Sequence, residues 1–385
     1  MPWKESGVVE ERTRFAVEYE SGEYTMAELC RHYGISRKTG YKIVARWEGC
    51  GGGGLKDLSR APKRHPNQTT VPIEDAVLAV RRAHMRWGPR KLHRWLKERY
   101  PRQSWPAPST IGELLKRAGL VVDRKIRART PPYTQPFASA DQPNKVWCAD
   151  FKGWFRTLDG ERIDPLTMTD AHSRYLLRCQ AVDKTNTEAV RAISEAAFRE
   201  YGLPQVIRTD NGPPFASRAV AGLSQLSAYW MKLGIVPERI QPGHPEQNGR
   251  HERMHRTMHA ETASPPAADK RRQQAVFDSF RSEYNQERPH EALSQRTPAA
   301  LYTASPLCYP DRVPEPQYDS GLLVRRVSPH GQFFWKSKDI FLSKVLAGER
   351  IALERIDERY WCVHFFAFPI AYFDSAELLI GNLPD

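Results

Sequence analysis

From Lys145 onward, short and mostly apolar runs alternate with helical stretches, and two of those runs close on an aspartate. Val146-Trp147-Cys148-Ala149-Asp150-Phe151 reads as a strand, residues 163–169 as a second and 175–182 as a third. Residues 188–201 read as helix, 205–210 as a fourth strand ending on Asp210, 220–233 as helix and 235–240 as a short strand. Helix then resumes at Asn248 and stops before Pro265-Pro266. Three meander strands followed by alternating helix and strand predict an α/β sheet. A carboxylate at the end of a buried strand is costly to desolvate unless it is paired or holds a cation. Asp150 and Asp210 on neighbouring strands therefore point to a divalent-metal site, because hard ions take carboxylate oxygens.

A third carboxylate is on offer at two places. Glu246 follows Asp210 after 35 intervening residues and Glu252 after 41. Glu246 sits in Pro242-Gly243-His244-Pro245-Glu246-Gln247-Asn248-Gly249, a run of turn formers that holds a side chain loosely. Glu252 lies one turn into the helix that Asn248-Gly249 introduces, and a rigid element places a ligand better. His255, Arg256 and His259 share its helix face at i+3, i+4 and i+7, while Met254 and Met258 pair on another. A basic face carrying one carboxylate suits phosphate contact beside a metal.

Charge directs attention to the first third of the chain. Residues 1–130 hold 27 Lys and Arg against 14 Asp and Glu, and the remainder holds 31 of each. A basic segment of that size faces nucleic acid. Its start, residues 1–48, is expected to be a DNA-binding domain and reads as three helices over residues 10–48. Thr25-Met26-Ala27-Glu28 is a capping-box pattern, Gly34 stops the second helix and Ser36 caps the third. The pattern is helix-turn-helix, and Arg37, Lys38, Thr39, Tyr41 and Lys42 are its candidate DNA contacts. Residues 49–71, with Gly49, Gly51-Gly52-Gly53-Gly54 and a basic stretch through 60–66, read as a flexible linker. A second helix-turn-helix-like unit is expected over 72–130, with helices at 73–87, 90–100 and from Pro108, where Thr110 and Glu113 form a second capping box; 124–129 is a basic tether. The catalytic region is expected over 140–304 and a small all-β domain over 318–385.

The six cysteines form no Cys-x-x-Cys pair, which argues against a zinc ribbon. No apolar run approaches the ~18 residues a membrane helix needs, and the first residues lack the order of a signal peptide. A cytoplasmic, nucleoid-associated location is expected.

Val146-Trp147 with Asp150, Thr209-Asp210-Asn211-Gly212, and His244-Pro245, Asn248-Gly249, Glu252-Arg253 and His255 together resemble the signatures of the Asp-Asp-Glu transposase and retroviral-integrase superfamily. Tyr284-Asn285-Gln286-Glu287-Arg288-Pro289-His290-Glu291-Ala292-Leu293 is similar to the segment after the core in bacterial insertion-sequence transposases. The resemblance covers nearly the whole chain. It implies an RNase H-like core with Asp150, Asp210 and Glu252 as a metal-binding catalytic triad holding two Mg²⁺ ions, for which Mn²⁺ substitutes. It further implies hydrolysis that frees a 3′-hydroxyl at the element end and attack of that hydroxyl on target DNA. Asn211, His255 and Arg256 become substrate-positioning groups. Double-stranded DNA, both terminal inverted repeats and target, is the implied partner, in a homo-oligomer of at least two copies. Many members have about 35 residues before the glutamate, which would select Glu246. The Gly-x-x-Glu pattern of Gly249-Arg250-His251-Glu252 selects Glu252 instead, with an insertion near 221–229 lengthening a helix.

Two rival readings use the same residues. His251-Glu252-Arg253-Met254-His255 is a literal His-Glu-x-x-His, the zinc-protease pattern, for which Glu261, Glu283 or Glu287 would be the third ligand. It leaves Asp150, Asp210 and the basic front end unexplained. The other rival is a transposase-derived, non-catalytic DNA-binding regulator.

Overall fold

The computed structural model describes residues 7–60, 68–121, 140–217, 219–240 and 249–382. The tether at 124–129 and the rival glutamate Glu246 lie outside them. The chain divides into two compact units, residues 1–69 and 70–385.

The first unit holds α1 (Val8–Glu20), α2 (Met26–His32) and α3 (Arg37–Cys50). The expected caps are present. Thr25 Oγ1 accepts from the Glu28 amide at 3.4 Å while the Glu28 carboxylate accepts from the Thr25 amide at 2.9 Å. Gly34, at φ +64°, turns the chain out of α2, and Ser36 Oγ accepts from the Thr39 amide at 3.2 Å to open α3. Phe15, Met26, Leu29, Cys30, Ile43 and Val44 form the core. The glycine run does not act as the flexible linker expected at residue 49. α3 continues to Cys50 and Gly51–Leu55 forms a 3₁₀ turn that buries Leu55 against the core. A Cβ at Gly54 would stand 2.4 Å from the Arg46 carbonyl oxygen, so this return needs glycine. Burying Leu55 contributes about 2 kcal/mol, which offsets part of the entropy of ordering those glycines.

The second unit opens with α4 (Val71–Ala83), α5 (Pro89–Arg99) and α6 (Pro108–Arg117), each with a proline in its first turn. The expected Thr110–Glu113 cap is not used, because α6 already starts at Pro108 and Thr110 lies inside its first turn. Trp87, Leu92, Leu96, Ile111 and Leu115 pack between the three helices.

A mixed sheet follows, built from β1 (Val146–Phe151), β2 (Phe155–Arg156), β3 (Arg162–Asp170), β4 (Leu176–Val182), β5 (Val206–Thr209) and β6 (Val236–Arg239). β4, β3, β1, β5 and β6 lie side by side, the first two junctions antiparallel and the last two parallel, with β2 beside β3. This is the RNase H-like order, with a meander leading into parallel crossovers. The crossover helices are α7 (Thr187–Tyr201) and α8 (Gln225–Lys232), whose Val190, Ala197, Phe198, Leu226 and Trp230 cover one face. The expected helix over 220–233 is interrupted. Val220–Gly222 is a single 3₁₀ turn, and Ser224 Oγ caps α8 through the Ser227 amide at 3.1 Å. The residues added between Asp210 and Glu252 therefore do not lengthen a helix.

α9 (Gly249–Thr262) and α10 (Lys270–Gln286) cover the other face. Met254 and Met258 pack with Phe277, Phe280 and Tyr284 over Ile163, Leu176 and Cys179. The α4–α6 bundle meets α10 and its exit through His84–Glu283 (3.2 Å) and Arg90–Glu291 (2.9 Å).

The tail holds the expected all-β fold. Its strands are β7 (Leu323–Arg326), β8 (Gln332–Trp335), β9 (Lys338–Phe341), β10 (Arg350–Arg355), β11 (Tyr360–Phe365), β12 (Phe368–Asp374) and β13 (Leu379–Gly381). They form a five-stranded antiparallel sheet and a hairpin. Ala228 and Met231 of α8 join the tail's core, and Lys232 pairs with Glu349. No described helix is long and apolar enough to cross a membrane.

Candidate active site

β1 and β5 run parallel in the register Val146↔Val206, Trp147↔Ile207, Cys148↔Arg208. The same offset of 60 positions sets Asp210, one residue past β5, level with Asp150 near the end of β1. Adjacent strands lie about 4.8 Å apart, so the two carboxylates leave one edge of the sheet as neighbours. Asp210 is half-buried, and desolvation raises its pKa against the opposing hydrogen bond from the Gly212 amide (3.2 Å to Oδ1). The Asp210 carboxylate folds back over Gly212, where a Cβ would stand 3.1 Å from it, tighter than ordinary contact. Asn211 is exposed and donates to the Ile240 carbonyl at 2.5 Å, tying together the ends of β5 and β6.

α9 crosses this edge and divides the helix face expected to be shared. His255 is turned inward beside Asp150, whereas Glu252, Arg256 and His259 are exposed. His251, one turn before His255, is buried with it, at 3% and 4% exposure. The two imidazoles meet Thr167 and Thr169, which share one face of β3. Thr167 Oγ1 lies 2.6 Å from Nε2 of both histidines and 3.3 Å from the Asp150 carbonyl, and Thr169 Oγ1 lies 3.0 Å from His251 Nδ1. A hydroxyl has one proton to give. One assignment satisfies all four contacts: Thr167 donates to the Asp150 carbonyl, both Nε2–H groups donate to Thr167, and Thr169 donates to His251 Nδ1. Both rings are then neutral. Burial agrees, holding His251 down to about 3 and His255, beside His251 and Lys152, to about 2. His255 Nδ1 is left facing Asp150 Oδ2 at 3.9 Å.

This network answers the zinc-protease reading. The point where the two Nε2 atoms converge is filled by the Thr167 hydroxyl. Of the proposed third ligands, Glu261 is paired with Arg288 at 2.9 Å, Glu283 with His84 at 3.2 Å, and Glu287 is the exposed residue after α10. Asp150, His251 and His255 do bring ligand-type atoms within 4.8 Å of one another. Sequence reasoning missed the threonines, which only the packing of α9 on β3 brings against the histidines.

In the first unit, Arg37, Lys38 and Lys42 project from the start of α3 into solvent. Thr39 is also exposed but hydrogen-bonds Ser36 Oγ at 2.9 Å, so part of its capacity is spent on the cap. Tyr41 lines a cleft with Tyr19, Tyr24 and Trp47.

Comparison with known proteins gives concordant matches. Family models described as Integrase core domain match residues 140–245 and 233–298. A helix-turn-helix domain model matches residues 11–63 and a homeodomain-like domain model 39–115. The chain is 32% identical over 266 residues to the insertion element IS476 uncharacterized 39.2 kDa protein of Xanthomonas euvesicatoria, covering 65% of this chain and 71% of the relative. It is 29% identical over 239 residues to the insertion element IS407 uncharacterized 31.7 kDa protein of Burkholderia multivorans, covering 59% and 80%. Among solved structures, the HTLV-2 integrase catalytic core domain in complex with magnesium is similar at 16% identity and a TM-score of 0.33, covering 42% of this chain and 98% of that one.

Proposed function

Because this chain belongs to the bacterial insertion-sequence transposases of the retroviral-integrase superfamily, we propose that it binds the terminal inverted repeats of its own element, nicks the element ends and joins the freed 3′-hydroxyl to target DNA. The observation that carries the reading is the level placement of Asp150 and Asp210 at the ends of parallel β1 and β5, with His255 of α9 beside Asp150.

Asp150, Asp210 and Glu252 are the proposed holders of divalent metal. The donor set fits: carboxylate oxygens suit Mg²⁺ and Mn²⁺, and Asp210's charge, disfavoured by desolvation, is stabilised by a cation. Bound ions supply Lewis-acid charge that activates the attacking oxygen and stabilises the leaving one. The chain's own residues do the rest. Neutral His255, fixed through Thr167, holds the Asp150 side of the centre. Exposed Arg256 and His259 line the approach along α9 and take phosphate oxygens. Asn211 keeps the loop after Asp210 in place through Ile240. Arg37, Lys38, Thr39, Tyr41 and Lys42 contact the repeats, and two copies of the chain bring two ends together.

The test is cleavage of labelled DNA carrying the element ends, with Mg²⁺ or Mn²⁺, by wild type, Asp210→Asn, Glu252→Gln and Glu246→Gln. The reading expects nicking at the repeat end, lost in the first two variants by at least about a hundred-fold and kept in Glu246→Gln. Loss in Glu246→Gln with Glu252→Gln active transfers the role to Glu246. Specific binding by wild type without cleavage under either metal makes the protein a DNA-binding regulator.

A further inference from the structure

We propose that Trp154, flanked by Arg156 and Arg162, is a stacking platform for an unpaired DNA base close to the cleavage centre, an inference that rests on the DNA-cleaving reading above. Large aromatic side chains are normally covered, and Trp87, Trp147 and Trp230 are each at most 1% exposed. Trp154 is 56% exposed. Its position is nevertheless held. The Lys152 amide donates to the Pro165 carbonyl at 3.0 Å, and Gly153, at φ +87°, makes a bend that other residues adopt only under strain. Phe155, the next residue, packs against Phe277 and His259.

Two guanidinium groups lie beside the indole, one of them paired with a carboxylate. The Arg162 guanidinium lies 5.1 Å from the ring centroid and that of Arg156 lies 5.9 Å away. Neither is loose. Arg162 is bound through two nitrogens to Asp164, at 3.0 and 3.2 Å, and Arg156 donates to the Gly160 carbonyl at 2.6 Å. An exposed aromatic ring beside fixed guanidinium groups is the chemistry that takes single-stranded nucleic acid, the ring on a base and the cations on its phosphates.

Position favours a base over a protein partner. Trp154 follows Asp150 by four residues, and its neighbour Phe155 touches His259, which lies two helical turns, about 10 Å, beyond Glu252. The platform thus lies on the segment that leaves Asp150 and packs, through Phe155, against the helix that bears Glu252. A paired base offers no free face to an indole, so the occupant is a base frayed or splayed from the duplex.

The test uses the full-length chain carrying Asp210→Asn, with Mg²⁺ and element-end duplexes labelled with 2-aminopurine at single positions on either side of the cut. Trp154→Ala and Trp154→Phe are compared in the same background. One position close to the cut is expected to show altered 2-aminopurine emission on binding. That change should be lost in Trp154→Ala and retained in Trp154→Phe, with affinity for a pre-frayed end about ten-fold weaker in Trp154→Ala. The melting temperature should not move, because the side chain is exposed. The same change in Trp154→Ala, or no responsive position while the protein binds, overturns the platform. Cleavage of these duplexes by wild type separates the two readings. If wild type does not cut, the function is wrong; if it cuts and Trp154 makes no difference, the platform alone is wrong.

Discussion

Thr167 lies directly across the β1–β3 ladder from Asp150 and donates to its carbonyl at 3.3 Å, while the same hydroxyl receives the Nε2–H groups of His251 and His255. One buried side chain thus ties the strand bearing the first aspartate to the helix bearing the glutamate. Thr167→Val keeps the shape and removes the acceptor, leaving two buried N–H donors unpaired. At about 1–3 kcal/mol for each, stability should fall by roughly 2–6 kcal/mol. Thr167→Ser should remain near wild type. Urea unfolding of the three proteins checks this, and a Thr167→Val protein as stable as wild type would rule the network out as a structural tie.

Acid should weaken the fold through its buried histidines. His251 and His290 are held down to about 3 and His255 to about 2, against an unfolded value near 6.5. Between those values the unfolded chain binds more protons than the folded one. Their contribution is therefore complete above pH 6.5 and is lost as pH falls from 6.5 toward 3. Well below 6.5 each histidine adds about 1.4 kcal/mol per pH unit to the slope. His290 is packed near Lys91 and Arg288, away from the proposed centre, so His290→Asn should flatten the slope by one such step. Unfolding free energies at pH 7.5, 6 and 5 measure it; an unchanged slope means that His290 is not held neutral.

Buried Arg288 and partly buried Glu261 form a pair at 2.9 Å, their side chains 6% and 19% exposed, with Lys91 close enough to feel both charges. Burial, and after it the Arg288 charge, lowers Lys91 to about 8. Glu261→Gln should therefore leave two cations facing one another and cost about 3–5 kcal/mol. The double variant Arg288→Met with Glu261→Gln should recover most of that loss. Thermal melts of the single and double variants decide it, and equal destabilisation in both would show that the charge pair is not the cause.

The fold was legible in sequence wherever a local signal agreed with long-range packing. Thr25, Glu28, Gly34 and Ser36 mark their helix ends, and the apolar runs at β1, β3, β4 and β5 mark their strands. The reading failed where packing overrode composition. The glycine run was expected to be open linker, yet the close approach of Gly54 to Arg46 makes glycine a packing requirement there. α10 was not identified, although Asp269 caps it and Phe277, Phe280 and Tyr284 recur at helical spacing. The level placement of Asp150 and Asp210 was legible because a carboxylate ending an apolar strand is anomalous by itself. Thr167 and Thr169 are ordinary strand residues until α9 brings two histidines against them. No local pattern carries that information.

In the first unit, α3 approaches α2 closely enough that a Cβ on Gly40 would stand 2.6 Å from Met26 Sδ, 2.7 Å from Cys30 Sγ and 3.0 Å from Phe15 Cζ. Gly40→Ala gains helix propensity but overpacks three core side chains, and the second effect should win by about 1–3 kcal/mol. Lys38, two residues earlier, is exposed, so Lys38→Ala should leave the unit's stability unchanged. On DNA the order reverses. Lys38→Ala should lower affinity evenly across sequences and reduce the salt slope by about one charge, as expected for a lost phosphate contact. Gly40→Ala should bind with the wild-type slope at temperatures where its first unit remains folded. Melting curves paired with salt-titrated DNA binding test both variants. A Lys38→Ala protein with the full salt slope would remove Lys38 from the DNA contacts, and a Gly40→Ala protein melting at the wild-type temperature would show that the α2–α3 contact accommodates a methyl group.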